Sequence, residues 1–160
     1  MVILGLDYGD KRIGVAVTDP LEIAATALDT VERTSGGEEF EEIGRLIRER
    51  GVERIVVGLP VRMDGSEGIQ VRKVRSFIKD LTRSFPDVEI ETSDERLSSA
   101  QAHRALSQAG ASNRVRKRNV DSMSAQLILN RYLQRRTAQK RQRDEVSDDD
   151  MDSSPDEKEK

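Results

Sequence analysis

Three acidic positions stand where a carboxylate needs a reason. Asp7 ends the run Val2-Ile-Leu-Gly-Leu-Asp7, and burying an unpaired carboxylate in so apolar a segment is costly. A turn-forming Asp beside Gly9 is the competing reading. Asp94 and Glu95 follow Val88-Glu-Ile90-Glu-Thr92; there a loop, or a cap for the next helix, competes. Asp121 precedes Ala125, Ile128, Leu129 and Tyr132 at i+4, i+7, i+8 and i+11. That spacing places its carboxylate on the apolar stripe of a helix, although alone it reads as an acid at a helix N-terminus. Carboxylates that converge repel one another unless a divalent cation is bound. An oxygen-only donor set suits Mg²⁺ or Mn²⁺. Two such ions about 3.5–4 Å apart activate a water and stabilise the leaving oxygen of a phosphodiester.

The elements that must bring these acids together follow from the pattern. Residues 2–7 read as a buried strand, 12–19 as its hairpin partner and 23–31 as a third strand. Ser35-Gly-Gly-Glu38 opens a helix to about Arg50, with Phe40, Ile43, Leu46 and Ile47 at helical spacing and Gly51 as its C-cap. Residues 54–58 form a short apolar strand. Ser66 is a candidate N-cap for a helix ending near Ser84, and 88–92 form a fifth strand. A helix over 98–109, a mobile basic linker over 111–118 and a last helix from about Val120 to Arg136 or beyond complete the order. This is an α/β chain: three antiparallel strands, then strands joined through helices and therefore parallel, in one mixed five-stranded sheet flanked by helices. Sites in such sheets form outside the carboxyl ends of the strands. Asp7 and Glu95 lie at such ends, and Asp121 reaches across from the helix.

Composition narrows the classes. The 160 residues suit one domain. There is no cysteine and one histidine, which excludes a disulfide scaffold, a cysteine nucleophile and a His-rich metal site. No apolar run is long enough to span a membrane, and no signal peptide is visible. A reduced, cytoplasmic compartment is expected. The net charge of −3 hides a division: residues 144–160 carry −7 and residues 1–143 carry +4. Arg114, Arg116, Lys117 and Arg118 form one basic cluster, and Arg131 to Arg143 holds six bases and no acid. Such clusters suggest a polyanionic partner, against the plainer reading of a solvated helix face. Residues 138–160 lack the apolar side chains of a core and read as a disordered charged tail beyond a domain over 1–137. His103 lies among small and polar residues and reads as surface.

Several motifs in one order carry a resemblance: Asp7-Tyr-Gly-Asp-Lys-Arg-Ile-Gly-Val-Ala-Val-Thr-Asp19, Gly58-Leu-Pro60, Asp64-Gly-Ser66, Asp94-Glu-Arg-Leu97, and Val120-Asp121 leading into Ile128-Leu129. Over about residues 1–135 the chain resembles the YqgF or RuvX family, the Holliday junction resolvase-like proteins described as pre-16S rRNA nucleases. The resemblance implies a ribonuclease H-like fold and metal-dependent hydrolysis of RNA, with branched DNA as the alternative substrate. It places Asp7, Glu95 and Asp121 at the catalytic, metal-holding positions, with Asp94 a close competitor of Glu95. Lys11, Arg12, Arg96, Arg114, Arg116, Lys117 and Arg118 are then the candidates for holding nucleic acid, by a monomer or a homodimer. A non-catalytic nucleic-acid or ribosome-assembly factor is the reading outside the enzyme class. Ser98-Ser99 stands where the family suggests Thr-Thr, and Ser124 where it suggests Ala. Gly58-Leu-Pro60 offers no carboxylate at the end of the fourth strand, where resolvase relatives often have one.

Overall fold

A computed structural model of the chain describes residues 1–94 and 113–149, with side chains over 1–94 and 121–145. Its elements are β1 (Val2–Tyr8), β2 (Arg12–Thr18), β3 (Ala25–Glu32), α1 (Glu38–Arg50), β4 (Val52–Leu59), α2 (Ile69–Ser84), β5 (Glu89–Asp94) and α3 (Asn113–Asp149). The five strands form one sheet in the order β3-β2-β1-β4-β5. β2 pairs antiparallel with β1 and β3, and β4 pairs parallel with β1 and β5. This is the expected mixed sheet. The expected helix over 98–109, with His103, lies outside the described residues.

Strand alternation divides the apolar side chains between two faces. Leu4, Leu6, Ile13, Val15, Ile55 and Val57 face α1 and α2, which contribute Ile43, Leu46, Val71, Val74, Phe77 and Leu81. The other face offers smaller groups. Ile3, Ala16, Ala25 and Val56 meet Ala125, Ile128, Leu129, Tyr132 and Leu133 of α3. A bulky face holds two helices at side-chain distance. A face of Gly and Ala lets one helix backbone come close. A Cβ built on Gly5 would stand 2.5 Å from Leu129 Cγ and 3.1 Å from the Ala125 carbonyl oxygen.

Local details depart from the sequence pattern in three places. α1 has Gly37 as its N-cap, with no side-chain cap bond; ahead of it the Glu38 N–H donates to Thr34 Oγ1 at 3.1 Å, and Glu39 Oε2 accepts from the Thr34 N–H at 3.2 Å. Gly51 closes the helix in the left-handed region with φ 63°, as expected. Ser66 does not cap α2. It closes a turn in which the Arg62 N–H donates to the Ser66 carbonyl at 3.1 Å and the Ser66 N–H donates to Asp64 Oδ1 at 2.9 Å, and the helix starts at Ile69.

The third departure is larger. Residues 113–118, expected as a linker, are the first turns of α3, and the helix continues through 138–149, where a disordered tail is expected. From Asn113 to Asp149 there is neither Gly nor Pro, and Arg, Lys, Gln, Ala and Leu favour helix. Past Thr137 the described helix residues are exposed all round. Hydrophobic burial therefore gives no reason for this segment, and backbone propensity does. No helix among the described residues is long and apolar enough to cross a membrane.

The turn after β2 is built on Asp19. Its Oδ1 accepts from the Ile23 and Ala24 N–H groups at 2.8 and 2.7 Å, and its Oδ2 accepts from Leu21 at 3.0 Å. These bonds, that from Ala24 foremost, hold its carboxyl below the ordinary range. A depressed folded pKa stabilises above that range and ceases to do so as the carboxylate protonates. Asp19→Ala should therefore lower the melting temperature at neutral pH, and its difference from wild type should shrink as the pH falls below 3.8. Ser124, where the family resemblance suggests Ala, is 1 % exposed and its Oγ has no hydrogen-bond partner. An unsatisfied buried hydroxyl is destabilising, so urea unfolding of Ser124→Ala should show a gain of up to about 1 kcal/mol.

Candidate active site

Asp7 lies inside β1, paired with Gly14 of β2. The hairpin turn comes later, where the Gly9 N–H donates to the Arg12 carbonyl at 3.0 Å. The turn-forming reading of Asp7 is thereby removed. On the other side of β1, Leu6 pairs with Val57, so the next step sets Asp7 beside Gly58, which pairs with Ser93. One row across the sheet thus reads Gly14, Asp7, Gly58, Ser93, all on the face that α3 covers. Asp7 is half-buried, and neither neighbour in its row has a side chain.

α3 delivers Asp121 to the same row. A Cβ on Gly14 would lie 2.0 Å from the Asp121 carbonyl oxygen and 3.2 Å from its Cα. Only glycine fits there, and the helix backbone rests where a side chain would stand. Asp121 therefore meets Gly14, whose strand partner is Asp7. Because α3 begins at Asn113, Asp121 sits about two turns inside the helix and does not open it. The helix dipole acts only within the first turn, so it gives no account of this acid. Arg12 Nε lies 4.0 Å from Asp121 Oδ2, and both side chains are largely buried. That Nε has no hydrogen-bond partner, which leaves the ion pair with Asp121 as its contact.

Asp94 stands at the end of β5. It is paired with Leu59, and Leu59 and Ile90 both pack on the α1/α2 side. Asp94 also lines a cavity with Arg131, Gln134 and Arg135 of α3. Its carbonyl oxygen accepts from Arg131 Nη1 at 3.3 Å. Glu95 and Arg96 lie outside the described residues. Among the described residues no three acid, histidine or cysteine side chains form a metal-binding group. Lys11 is exposed at the hairpin turn. Arg114, Arg116, Lys117 and Arg118 belong to the first turns of α3, on the segment leading into Asp121.

Two features of the site escape a residue-by-residue reading. Gly14 and Gly58 shape it by lacking side chains, and a glycine inside a strand was the available signal. Arg135 donates to Ser93 Oγ at 2.6 Å, a contact across 42 positions that no local pattern announces.

Known proteins of similar sequence and fold bear on the family and the architecture of this chain. Residues 1–135 match the model of the RuvX family, described as Holliday junction resolvase. The chain is 44 % identical over 133 residues to the "Putative pre-16S rRNA nuclease" of Halothermothrix orenii, covering 83 % of this chain and 94 % of that protein. It is 45 % identical over 133 residues to the protein of the same name from Syntrophus aciditrophicus, covering 83 % and 88 %. Among solved structures it is similar to Thermus thermophilus RuvC, with a TM-score of 0.50 at 15 % identity, covering 86 % and 97 % of the two chains. That last likeness concerns the fold alone. The chain belongs to the RuvX family of resolvase-like nucleases and has the ribonuclease H-like fold of RuvC.

A Cβ at position 14 must push α3 away from Asp7. Misplacing a reacting group by about 1 Å costs on the order of 100-fold in rate. Gly14→Ala should therefore lower nuclease turnover by about that factor while circular dichroism still shows a folded chain, because overpacking costs only about 1–3 kcal/mol.

Proposed function

We propose that this nuclease hydrolyses RNA with a divalent cation held by Asp7, Asp121 and Glu95, and that its substrate is the 5′ end of pre-16S rRNA. The observation that carries the reading is the meeting of Asp7 and Asp121 at Gly14. The name borne by the relatives at 44–45 % identity supports the choice of RNA. The donor set fits Mg²⁺ or Mn²⁺: it is hard oxygen, and such ions are commonly held by one or two carboxylates together with substrate phosphate. When bound, the cation supplies charge neutralisation at the phosphoryl group and a water of lowered pKa.

The chain's own residues do the positioning. Asp7 is fixed by its pairing with Gly14 of β2. Asp121 is fixed by the packing of α3 and flanked by Arg12, which offsets part of the negative charge that two neighbouring carboxylates accumulate. Lys11 at the exposed turn, Arg96 after β5, and Arg114, Arg116, Lys117 and Arg118 ahead of Asp121 supply the cations that hold the strand.

The description of the family model favours a second reading, cleavage of a four-way DNA junction. That reaction needs two symmetric cuts and therefore a dimer. Labelled single-stranded RNA and a four-way junction, each with Mg²⁺, Mn²⁺ or EDTA, distinguish the readings. Wild type should cut RNA only with metal. Asp7→Asn and Asp121→Asn should each cut more than about 100-fold more slowly, since even residues behind metal ligands are worth 10–100-fold. Both variants should still bind RNA. Cleavage of the junction alone, by a dimer in sedimentation, would transfer the site to the resolvase reading. RNA binding without cleavage by wild type would make the chain a binding factor.

A further inference from the structure

Several arginines among the described residues meet carboxylates. Arg54 pairs with Glu89 and Glu91, Arg136 with Glu22 at 2.9 Å, Arg45 with Glu42 and Glu49, and Arg75 with Glu67. Arg131 and Arg135 of α3 differ. Arg131 donates to the backbone carbonyl of Asp94 at 3.3 Å, and Arg135 to the hydroxyl of Ser93 at 2.6 Å. Both acceptors are neutral, and the bonds orient the two guanidinium groups at the end of β5. Ser93 is 1 % exposed, which makes it a rigid anchor.

The two arginines, with Gln134 and Asp94, line an open cavity of about 360 Å³ at the carboxyl end of β5. Ser93 is the last member of the row Gly14, Asp7, Gly58, Ser93. Two strand spacings separate it from Asp7, or about 10 Å. A planar guanidinium presents paired donors that match phosphate oxygens. The position between Ser93 and Asp7 in that row is Gly58.

We propose that Arg131 and Arg135 form a phosphate-binding pair that holds the RNA strand beside the scissile bond, on the β5 side of Asp7. The inference rests on the nuclease reading and adds the direction in which the strand leaves the site. The pair positions substrate and takes no part in bond cleavage, so its loss raises KM and leaves kcat in place.

The test uses the full chain. Binding of a single-stranded oligoribonucleotide is followed by fluorescence anisotropy in EDTA over a series of KCl concentrations. Each phosphate contact on a single strand contributes about 0.7 to the log–log salt slope. R131Q/R135Q should be less steep than wild type by about 1.4, while R131K/R135K and the control R136Q keep the wild-type slope. Cleavage by R131Q/R135Q with Mg²⁺ or Mn²⁺ should show a raised KM at unchanged kcat. Should R131Q/R135Q fail to fold, R131Q alone, which removes one carbonyl contact, should still shift the slope by about 0.7. A wild type that binds and cuts RNA, beside a folded variant with the same slope and KM, overturns the phosphate pair and leaves the nuclease reading intact. A wild type that neither binds nor cuts RNA overturns both.

Discussion

Gly5 and Gly14 let the backbone of α3 descend onto β1 and β2 until the carbonyl oxygens of Ala125 and Asp121 crowd the places where Cβ atoms would stand. Glycine inside a strand weakens it by entropy and by lost packing. Here the loss is offset by burial of Ala125, Ile128, Leu129, Tyr132 and Leu133 against Ile3, Ala16 and Val56. The closeness of that contact sets the position of every α3 side chain. Asp121 meets the row of Asp7, Arg12 comes into range of Asp121, and Arg131 and Arg135 reach the end of β5, all because one helix lies on a bare face.

The opposite face supports the site from behind. Tyr8 stacks on Phe77 with ring centroids 4.4 Å apart, and Arg33 lies over the Tyr8 ring at 4.4 Å. Arg33 also donates to the carbonyl oxygens of Gly9 and Asp10 at 3.0 and 2.8 Å. The hairpin turn that carries Lys11 is thus held by side chains on the face that does no chemistry. Glu22 acts similarly at the far end of α3. Burial pushes its carboxyl up, but Arg136 and the Met1 ammonium outweigh burial and hold it below the ordinary range. The bulky face and these ion pairs give rigidity, and the Gly-Ala face lets α3 come close.

Much of this was legible because periodicity reports burial. The strands, the mixed sheet and the stripe of Ala125, Ile128, Leu129 and Tyr132 follow from alternation and helical spacing, and all four stripe residues are buried. Spacing also placed Asp121 on the packed side of its helix. The start of that helix was misread because a basic run resembles a linker when judged by charge, although its residues are good helix formers. The choice between Asp94 and Glu95 could not be made from two adjacent acids. The roles of Gly14 and Ser93 depend on which elements touch, a tertiary fact to which no short window has access.

The part of α3 past Thr137 makes no use of the core. Its shank carries Lys140, Arg141 and Arg143, and its tip carries Asp144, Glu145, Asp148 and Asp149. A helix dipole favours the reverse order, with cations last. The projecting rod is therefore a polyampholyte set against its own backbone. Added salt screens the repulsion between the acidic tip and the negative helix end, while it weakens the attraction of the shank for a polyanion. Ionic strength thus acts with opposite sign on the order of this rod and on its grip.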